Sequence, residues 1–261
     1  MTITKHELRQ GKISFLIWTV SIAFLLSFCV FLYPEMKSEM SQVTRLFSSM
    51  GAFTAAFGMD RLDFGSLTGY YSIECGNVLG LGGAFFASLC AVSMLSKEEK
   101  DRTAEFLLTH PVSRIRIITE KLAAVLIQIT AMNLIIYAVA IASIACIGEP
   151  IPWKELNLIH LAYFIMQIEL AGICFGLSAF MRKNSAGASL GIAVIMYFLS
   201  LMANTAKAAG FLKYITPFGY CSGADIISRG SLDGRLIAVG MVLCAAGIAA
   251  GYGRYASKDI Q

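Results

Sequence analysis

Long runs without a charged residue constrain this chain more than any other feature of its sequence. The longest, residues 122–148, holds 27 residues between Lys121 and Glu149 without one Asp, Glu, Lys or Arg. An α-helix rises about 1.5 Å per residue, so about 20 apolar residues cross the hydrocarbon layer of a membrane. The sequence predicts six such spans, at residues 14–33, 71–95, 122–147, 157–181, 185–205 and 236–253.

The composition agrees with this setting. Hydrophobic residues make up 57% of the chain and charged residues 15%, against about 25% charged residues in soluble domains. The first run is longer than the apolar part of a secretory signal and lacks a small-x-small cleavage site, which favours a retained span. We therefore expect an all-α polytopic membrane protein with a single transmembrane domain over residues 1–261.

The distribution of basic residues predicts the orientation. Thirteen of the 21 Lys and Arg residues lie in the N-terminal segment, the second and fourth connections and the C-terminal segment, and eight lie in the longer remaining connections. Basic residues favour the cytoplasmic side. Both termini are thus expected in the cytoplasm of a prokaryotic-type cell, with the chain crossing its plasma membrane, and residues 1–12 are predicted to form an amphipathic interfacial helix.

Two connections on the outer side are expected to contain helices. A polar interlude begins at Pro34, and apolar residues recur within it at steps of three and four, which predicts a packed or interfacial helix that ends at Gly58. Residues 207–235 combine aromatic residues with helix breakers, so short helices near the outer surface are expected there.

The connection at residues 96–121 differs from all others because six basic and five acidic residues surround a short apolar patch, residues 106–108. Thr103 can cap a short helix, and Pro111 would end it, since proline lacks a backbone donor. Ser113 can cap a second helix that leads into the third span. The sequence thus predicts a short amphipathic helix between two spans, with an apolar face that needs a partner surface.

Motifs for chemistry are absent from the sequence. No G-x-x-x-x-G-K-[ST] loop is present to hold ATP phosphates, and no G-x-S-x-G elbow or H-E-x-x-H pair occurs. The seven cysteines are dispersed, and no basic stripe suggests a nucleic acid. We expect no catalytic residue, no metal site and no cofactor in this chain, which is not predicted to be an enzyme, and no nucleic-acid partner.

Polar residues inside the predicted spans form a second group of candidates. Glu169 lies near the expected bilayer midplane, where an ionised carboxylate is costly unless it is paired or hydrated. Gln167, Asn133 and Gln128 could be its partners. The residues leave two interpretations open: a protonated or hydrogen-bonded packing group, or part of a polar translocation surface.

Four Gly-x-x-x-Gly pairs allow helices to approach closely. Packing within one chain and contact between subunits are both compatible with them. The pairs are Gly76/Gly80, Gly172/Gly176, Gly187/Gly191 and Gly247/Gly251.

The chain resembles the ABC-2 permease family, the membrane subunits of ATP-binding-cassette exporters. The resemblance lies in the six spans, the N-terminal amphipathic segment, and residues 97–114 followed by Lys121. The family pattern in this connection is an acidic residue, Gly-Thr, Glu, paired leucines, Pro and Ser-Arg. Residues 212–218 and 255–260 extend the similarity, although only the first motif is specific. Arg102 stands where the family usually has Gly, so the resemblance does not extend to the local turn at this position.

The resemblance implies that residues 103–109 form a coupling helix, which docks in a cleft of a separate cytoplasmic ABC ATPase subunit that binds ATP and Mg²⁺. Phe106 and Leu108 would supply the inserted apolar face, with polar contacts and a rigid exit on either side. The residues assigned to coupling are Glu99, Arg102, Thr103, Glu105, Phe106, Leu108, Pro111 and Arg114.

The resemblance further implies that the chain is half of an export pathway, paired with a second copy of itself or a related permease and surrounded by membrane lipid. An amphiphilic small molecule, peptide or antibiotic is the expected substrate class. Two alternatives remain open: an autonomous proton-coupled carrier that uses Glu169, and a membrane scaffold or sensor that transports nothing.

Overall fold

The structure is a computed structural model that describes residues 2–48, 51–63, 65–97, 113–181, 186–205 and 207–257. Within these residues every regular element is helical, and no strand occurs. The predicted all-α fold class is therefore confirmed.

The first part of the chain builds the N-terminal helix and two spans. Its elements are α1 (Thr2–Gln10), α2 (Lys12–Ser48), α3 (Ala52–Ala56), a 3-10 turn (Met59–Arg61), α4 (Leu67–Cys75), a π-helical segment (Gly76–Leu81) and α5 (Gly82–Val92). The second part contains four further spans and the short helices between the last two. Its elements are α6 (Arg114–Cys146), α7 (Trp153–Ser178), α8 (Ala186–Thr205), two 3-10 helices (Lys207–Tyr214 and Pro217–Tyr220), α9 (Gly223–Arg229) and α10 (Gly234–Ser257).

Six helical stretches are long and apolar enough to cross a membrane, which confirms the predicted number of spans among the described residues. They are Lys12–Lys37, Leu67–Val92, Arg114–Cys146, Trp153–Ser178, Gly187–Thr205 and Gly234–Ser257. The second stretch is one span made of α4, the π-helical segment and α5.

Helix α2 does not end where its sequence changes from apolar to polar. It continues through Pro34 as one helix of 37 residues. A proline removes one backbone hydrogen bond, a loss that long membrane helices tolerate where their surroundings compensate. One turn later, Lys37 forms an ion pair of 2.7 Å with Glu149 in the turn between α6 and α7. The predicted end at Gly58 is observed for the next helix: α3 ends at Ala56, and Gly58 has φ 68°.

Helix α7 lies at the centre of the packing, and glycines bring it against α10. A Cβ atom on Gly176 would lie 2.1 Å from the carbonyl oxygen of Gly247, and one on Gly172 would lie 2.2 Å from Cys244 Sγ. A Cβ atom on Gly251 would lie 3.2 Å from the Cα of Gly176. Two of the four predicted glycine pairs therefore form one interface within this chain.

A third glycine pair, Gly76/Gly80, also packs within the chain. Cβ atoms on these residues would each lie 2.8 Å from the side chain of Tyr163 on α7. Both glycines belong to the π-helical segment, whose wider turn contains an extra residue. The ring of Tyr163 thus occupies the side of the second span where this segment interrupts the α-helix.

Candidate functional site

Most of the predicted coupling residues lie outside the residues that the structure describes. This holds for Glu99, Arg102, Thr103, Glu105, Phe106, Leu108 and Pro111. The coupling helix itself therefore stays a prediction. Lys97, before this segment, and Ser113 and Arg114, after it, are described.

The helix predicted to follow the segment is confirmed, and it is continuous with the third span. The side chain of Ser113 caps α6 by accepting a hydrogen bond from Arg116 N at 3.3 Å. Arg114 Nη1 donates to the carbonyl oxygens of Tyr255 at 3.4 Å and Ala256 at 3.2 Å. A cation is favourable at the end of a helix, where carbonyl groups lack partners. Arg114 thereby joins the start of α6 to the end of α10.

One buried carboxylate joins the two sides of the undescribed segment. Glu7 on α1 is 3% exposed, and its Oε1 lies 3.2 Å from the Nζ of Lys121, which is fully buried on α6. Its Oε2 forms an ion pair with Lys97, which precedes the segment. Lys121 also donates to the carbonyl oxygen of Met94 at 2.6 Å. Glu7 therefore connects α1 with the residues that precede and follow residues 98–112.

This cluster was not predicted from the sequence. Glu7 lies within the predicted interfacial helix of residues 1–12, and Lys97 and Lys121 lie within the charged connection at residues 96–121. A usable signal was present, because Glu7 is the one acid of α1 and the two lysines flank the segment. Breaking a buried ion pair by removal of one partner costs about 3–5 kcal/mol, so such a carboxylate holds its helix firmly.

The inward face of α1 is polar, unlike that of a helix that inserts an apolar face into lipid. The backbone N–H groups of Ile3 and Thr4 donate to Glu120 Oε2 at 3.0 and 3.2 Å. Thr4 Oγ1 donates to the Glu120 carbonyl oxygen at 3.0 Å. Free amides at a helix N-terminus favour a carboxylate. The predicted helix is present, but it is docked on α6 by hydrogen bonds and ion pairs.

Two of the polar residues predicted inside the spans meet each other. Asn133 Nδ2 donates to Gln167 Oε1 at 2.7 Å, and Gln167 Nε2 donates to the carbonyl oxygen of Leu79 at 3.4 Å. Gly83 leaves room for this amide, since a Cβ atom there would lie 2.1 Å from Gln167 Nε2. The amides therefore link α6, α7 and the second span within the apolar core. Asparagine and glutamine side chains commonly join membrane helices in this way.

Glu169 is separated from those residues. Positions 167 and 169 lie on different sides of α7, because residues two apart on a helix do not share a face. The carboxyl group of Glu169 is fully buried against Gly240, whose Cβ atom would lie 2.1 Å from Oε2, and beside Tyr220. Neither carboxyl oxygen has a hydrogen-bond partner of good geometry among the described residues. The structure thus does not bring Glu169 to Asn133, Gln128 or Gln167.

Gln128 contacts a third environment. Its amide lies against Gly11, where a Cβ atom would come within 2.9 Å of Nε2, and Cys90 Sγ lies 3.6 Å from its Oε1. Gln128 therefore packs beneath the junction of α1 and α2. The four intramembrane candidates accordingly occupy three separate places and do not form one polar surface within this chain.

A small open cleft of about 60 Å³ lies between α3, the second span, α7, α8 and the short helices after α8. Its polar lining includes Ser72, Asn77, Tyr197 and Asn204, and none of the described lining residues is charged. Tyr197 donates to Asn77 Oδ1 at 3.4 Å. Hydroxyl and amide groups beside aromatic rings can bind a neutral polar group next to an apolar one. The cleft was not predicted from the sequence, because its lining comes from five separate segments.

An ion cluster fastens the short helices beside this cleft. Asp225 on α9 pairs with Arg61 at 2.6 Å and with Lys213 at 3.1 Å. Burial acts to raise the pKa of Asp225, but the hydrogen bonds and charges of Arg61 and Lys213 outweigh it and lower this pKa below its ordinary value of 3.8. The carboxylate form therefore joins the connection before α4 to two short helices of the connection before α10.

The comparison with known families covers almost the entire chain. A family model described as "ABC-2 family transporter protein" matches residues 1–260. No curated protein matches the chain. The family match includes all described helices from α1 to α10, so it concerns the whole membrane domain and extends well beyond the charged connection at residues 96–121.

Proposed function

The chain belongs to the ABC-2 family of transporter proteins, and we propose that it is the permease subunit of an exporter driven by a separate ATPase. The family match and six apolar spans support a multi-pass membrane transporter. ABC-2 permeases generally work with an ATPase subunit and often dimerise. In this proposal the chain forms half of a pathway in the plasma membrane, and its partner binds ATP and Mg²⁺.

The observation that carries the coupling proposal is the position of Glu7. The two lysines that it holds belong to the two sides of residues 98–112. Arg114 extends the same connection to α10. A force applied to this segment by a cytoplasmic motor would therefore act on α1, α6 and α10 together. Loose flanking residues would instead absorb the displacement.

A second subunit and an amphiphilic substrate complete the proposal. Helix α8 presents exposed apolar residues at steps of three and four, Ile195, Phe198 and Met202. Such a face fits another membrane helix or lipid. The uncharged cleft beside α8 suits a substrate with neutral polar groups and an apolar part, such as a peptide, antibiotic or lipid-like compound. The same chain or a related permease could supply the second half.

Replacement of Leu108 tests the predicted docking. The chain and its ATPase are co-expressed, purified and reconstituted in proteoliposomes. We expect Leu108→Asp to insert normally but to lower ATPase co-purification and coupled export at least about tenfold, because burying an unpaired carboxylate costs several kcal/mol. Leu108→Met is the matched control and should retain both. Unchanged coupling in Leu108→Asp would contradict the docking role.

Replacement of Glu7 separates coupling from stability. Glu7→Gln alone should destabilise the chain by about 3–5 kcal/mol, because Lys121 stays buried without its carboxylate. The double variant Glu7→Met/Lys121→Met replaces the pair with apolar side chains and should recover much of the melting temperature. Coupled ATP hydrolysis should remain low in this double variant, since Lys97 is no longer joined to α6. Normal coupling in the stable double variant would refute the proposed transmission.

The buried carboxyl of Glu169 favours one competing function, a carrier driven by a proton gradient. Its two oxygens lack a partner of good geometry among the described residues, as expected for a group that exchanges a proton. The purified chain alone, in liposomes with an imposed pH gradient, distinguishes the two functions. Flux that is lost in Glu169→Gln would support the carrier. Flux that requires the ATPase and survives Glu169→Gln would support the exporter.

A further inference from the structure

The exposed side of α1 continues without a change of helical phase into α2. Gly11 N donates to the Glu7 carbonyl oxygen at 2.9 Å, and Phe15 N donates to the Gly11 carbonyl oxygen at 2.9 Å. The i to i−4 pattern therefore passes through the junction of the two helices. Residues four apart along both helices consequently lie on one side.

This side changes from basic to apolar between two adjacent residues. Lys5, Arg9 and Lys12 are exposed on it. Ile13, Ile17 and Val20 follow, with exposed fractions of 73%, 60% and 62%. The result is one stripe with a cationic part of about two helical turns and an apolar part of similar length.

The contacts of α1 fix the level of this change relative to the membrane. Thr4 and Glu7 contact Glu120 and Lys121, the last charged residues before the long uncharged run of α6. Lys12 likewise precedes the uncharged run of α2. Both helices therefore place α1 where the chain enters the hydrocarbon layer, which is the level of lipid headgroups.

The charges of the cationic part are not neutralised within the described residues. The one acid of α1, Glu7, points inward and is used by Lys97 and Lys121. Lys5, Arg9 and Lys12 have no ion-pair partner in the part of the chain that the structure describes. Because the side chain of Glu7 points inward, the charged residues on the exposed face of α1 at the membrane surface are all basic.

We propose that this stripe is a binding site for an anionic phospholipid. The phosphate group lies at Lys5, Arg9 and Lys12, and an acyl chain lies along Ile13, Ile17 and Val20. A soluble protein could contact only the basic part of the stripe, because the apolar part lies at membrane depth. The site is independent of the transport function proposed above.

Native mass spectrometry of the full chain in detergent tests the site. Phosphatidylglycerol and phosphatidylcholine with identical acyl chains are the probes. The wild-type protein should bind phosphatidylglycerol more tightly. Lys5→Gln/Arg9→Gln should weaken this binding about tenfold or more, since each basic residue near an anionic membrane surface contributes about 1 kcal/mol. Glutamine keeps the helix propensity, so α1 should remain folded.

The control variant Lys154→Gln/Arg235→Gln removes the same number of charges from exposed residues at the other ends of the spans. It should bind phosphatidylglycerol as the wild type does. Glycerol 3-phosphate should not compete, which separates a lipid site from a phosphate site. Equal binding of both lipids, equal losses in both variants, or unchanged phosphatidylglycerol binding by Lys5→Gln/Arg9→Gln would each overturn the proposal.

Discussion

Helices α7 and α8 follow each other in the chain and both cross the membrane, yet the structure holds them in different ways. In the most apolar 18-residue stretch of each helix, 67% of the residues are buried in α7 and 17% are buried in α8. The glycine pair of α7 contacts the backbone of α10, whereas Gly191 of α8 has no atom within 4 Å of its added Cβ among the described residues. The same spacing of glycines thus occurs at a close helix contact in α7 and at an open space in α8.

Polar groups along its C-terminal half hold α8 instead. Asn204 Nδ2 donates to the carbonyl oxygen of Ala56 at 3.2 Å, and Thr216 Oγ1 donates to that of Met196 at 2.7 Å. These contacts leave the apolar side of α8 available to a second subunit or to lipid. A Gly-x-x-x-Gly pair therefore permits close approach, but it does not identify the element that approaches.

Among the variants that test this contrast between α7 and α8, the largest effect is expected from Gly176→Ala. Its Cβ atom would meet the backbone of Gly247 at 2.1 Å, and a backbone cannot move aside as the end of a side chain can. We expect a loss of about 1–3 kcal/mol or more, measured as the melting temperature of the purified chain. Gly191→Ala is the matched control and should melt like the wild type. Equal melting of both variants would remove the contrast between the two helices.

A smaller effect is expected from Gly240→Ala, because the three atoms nearest to its Cβ atom would all belong to the carboxyl group of Glu169. Turning a side chain away from its preferred rotamer costs about 0.5–1.5 kcal/mol. Adding Glu169→Ala should make the effect of the alanine at position 240 smaller, because the two residues share one space. A double-mutant cycle on melting temperatures measures this coupling. Additive losses would show that the two residues do not interact.

Acid should weaken the attachment beside α8. Because the folded-state pKa of Asp225 is lowered, its carboxylate stabilises the fold above the ordinary pKa of 3.8, and this contribution disappears as the pH falls through the folded-state value. Melting temperatures recorded between pH 7 and pH 3 should decline at the acidic end. Asp225→Asn should be less stable at pH 7 and should show a smaller decline. An identical decline in both proteins would assign it to other groups.

The smallest effect on the single chain is expected from Gly191→Leu. The open space at this glycine accepts a larger side chain, so the melting temperature should stay close to that of the wild type. If a second subunit packs here, however, the leucine should weaken self-association. Analytical ultracentrifugation in detergent separates the two effects. Unchanged self-association would place the subunit contact elsewhere.

The sequence predicted the spans well because charge avoidance in a membrane is local. The run after Lys121 and the cap at Ser113 could both be identified without knowledge of any distant residue. The π-helical segment could not be predicted in this way, since Tyr163, which packs against it, lies more than 80 residues away. The lengths and caps of helices are determined by residues close in sequence, whereas irregular helical turns depend on tertiary contacts.

The candidate site shows the same limit. Glu169 was correctly recognised as unusual, but its neighbours depend on the direction in which it leaves α7, and the residue two positions earlier faces other partners. Glu7 was not recognised, because its two lysines come from residues 97 and 121. Spacing along the chain shows which side chains are costly to bury. It does not show which groups compensate them.

The π-helical segment of the second span also has a consequence for how that span can change. One extra residue in a turn rotates everything beyond it by about 100° relative to an uninterrupted α-helix. Ser72 before the segment is thereby aimed at the cleft, and Gly83 after it is aimed at Gln167. The rotation of one half of this transmembrane helix relative to the other therefore depends on the extra residue. Deleting a single residue between them would misalign one half while leaving the other in place.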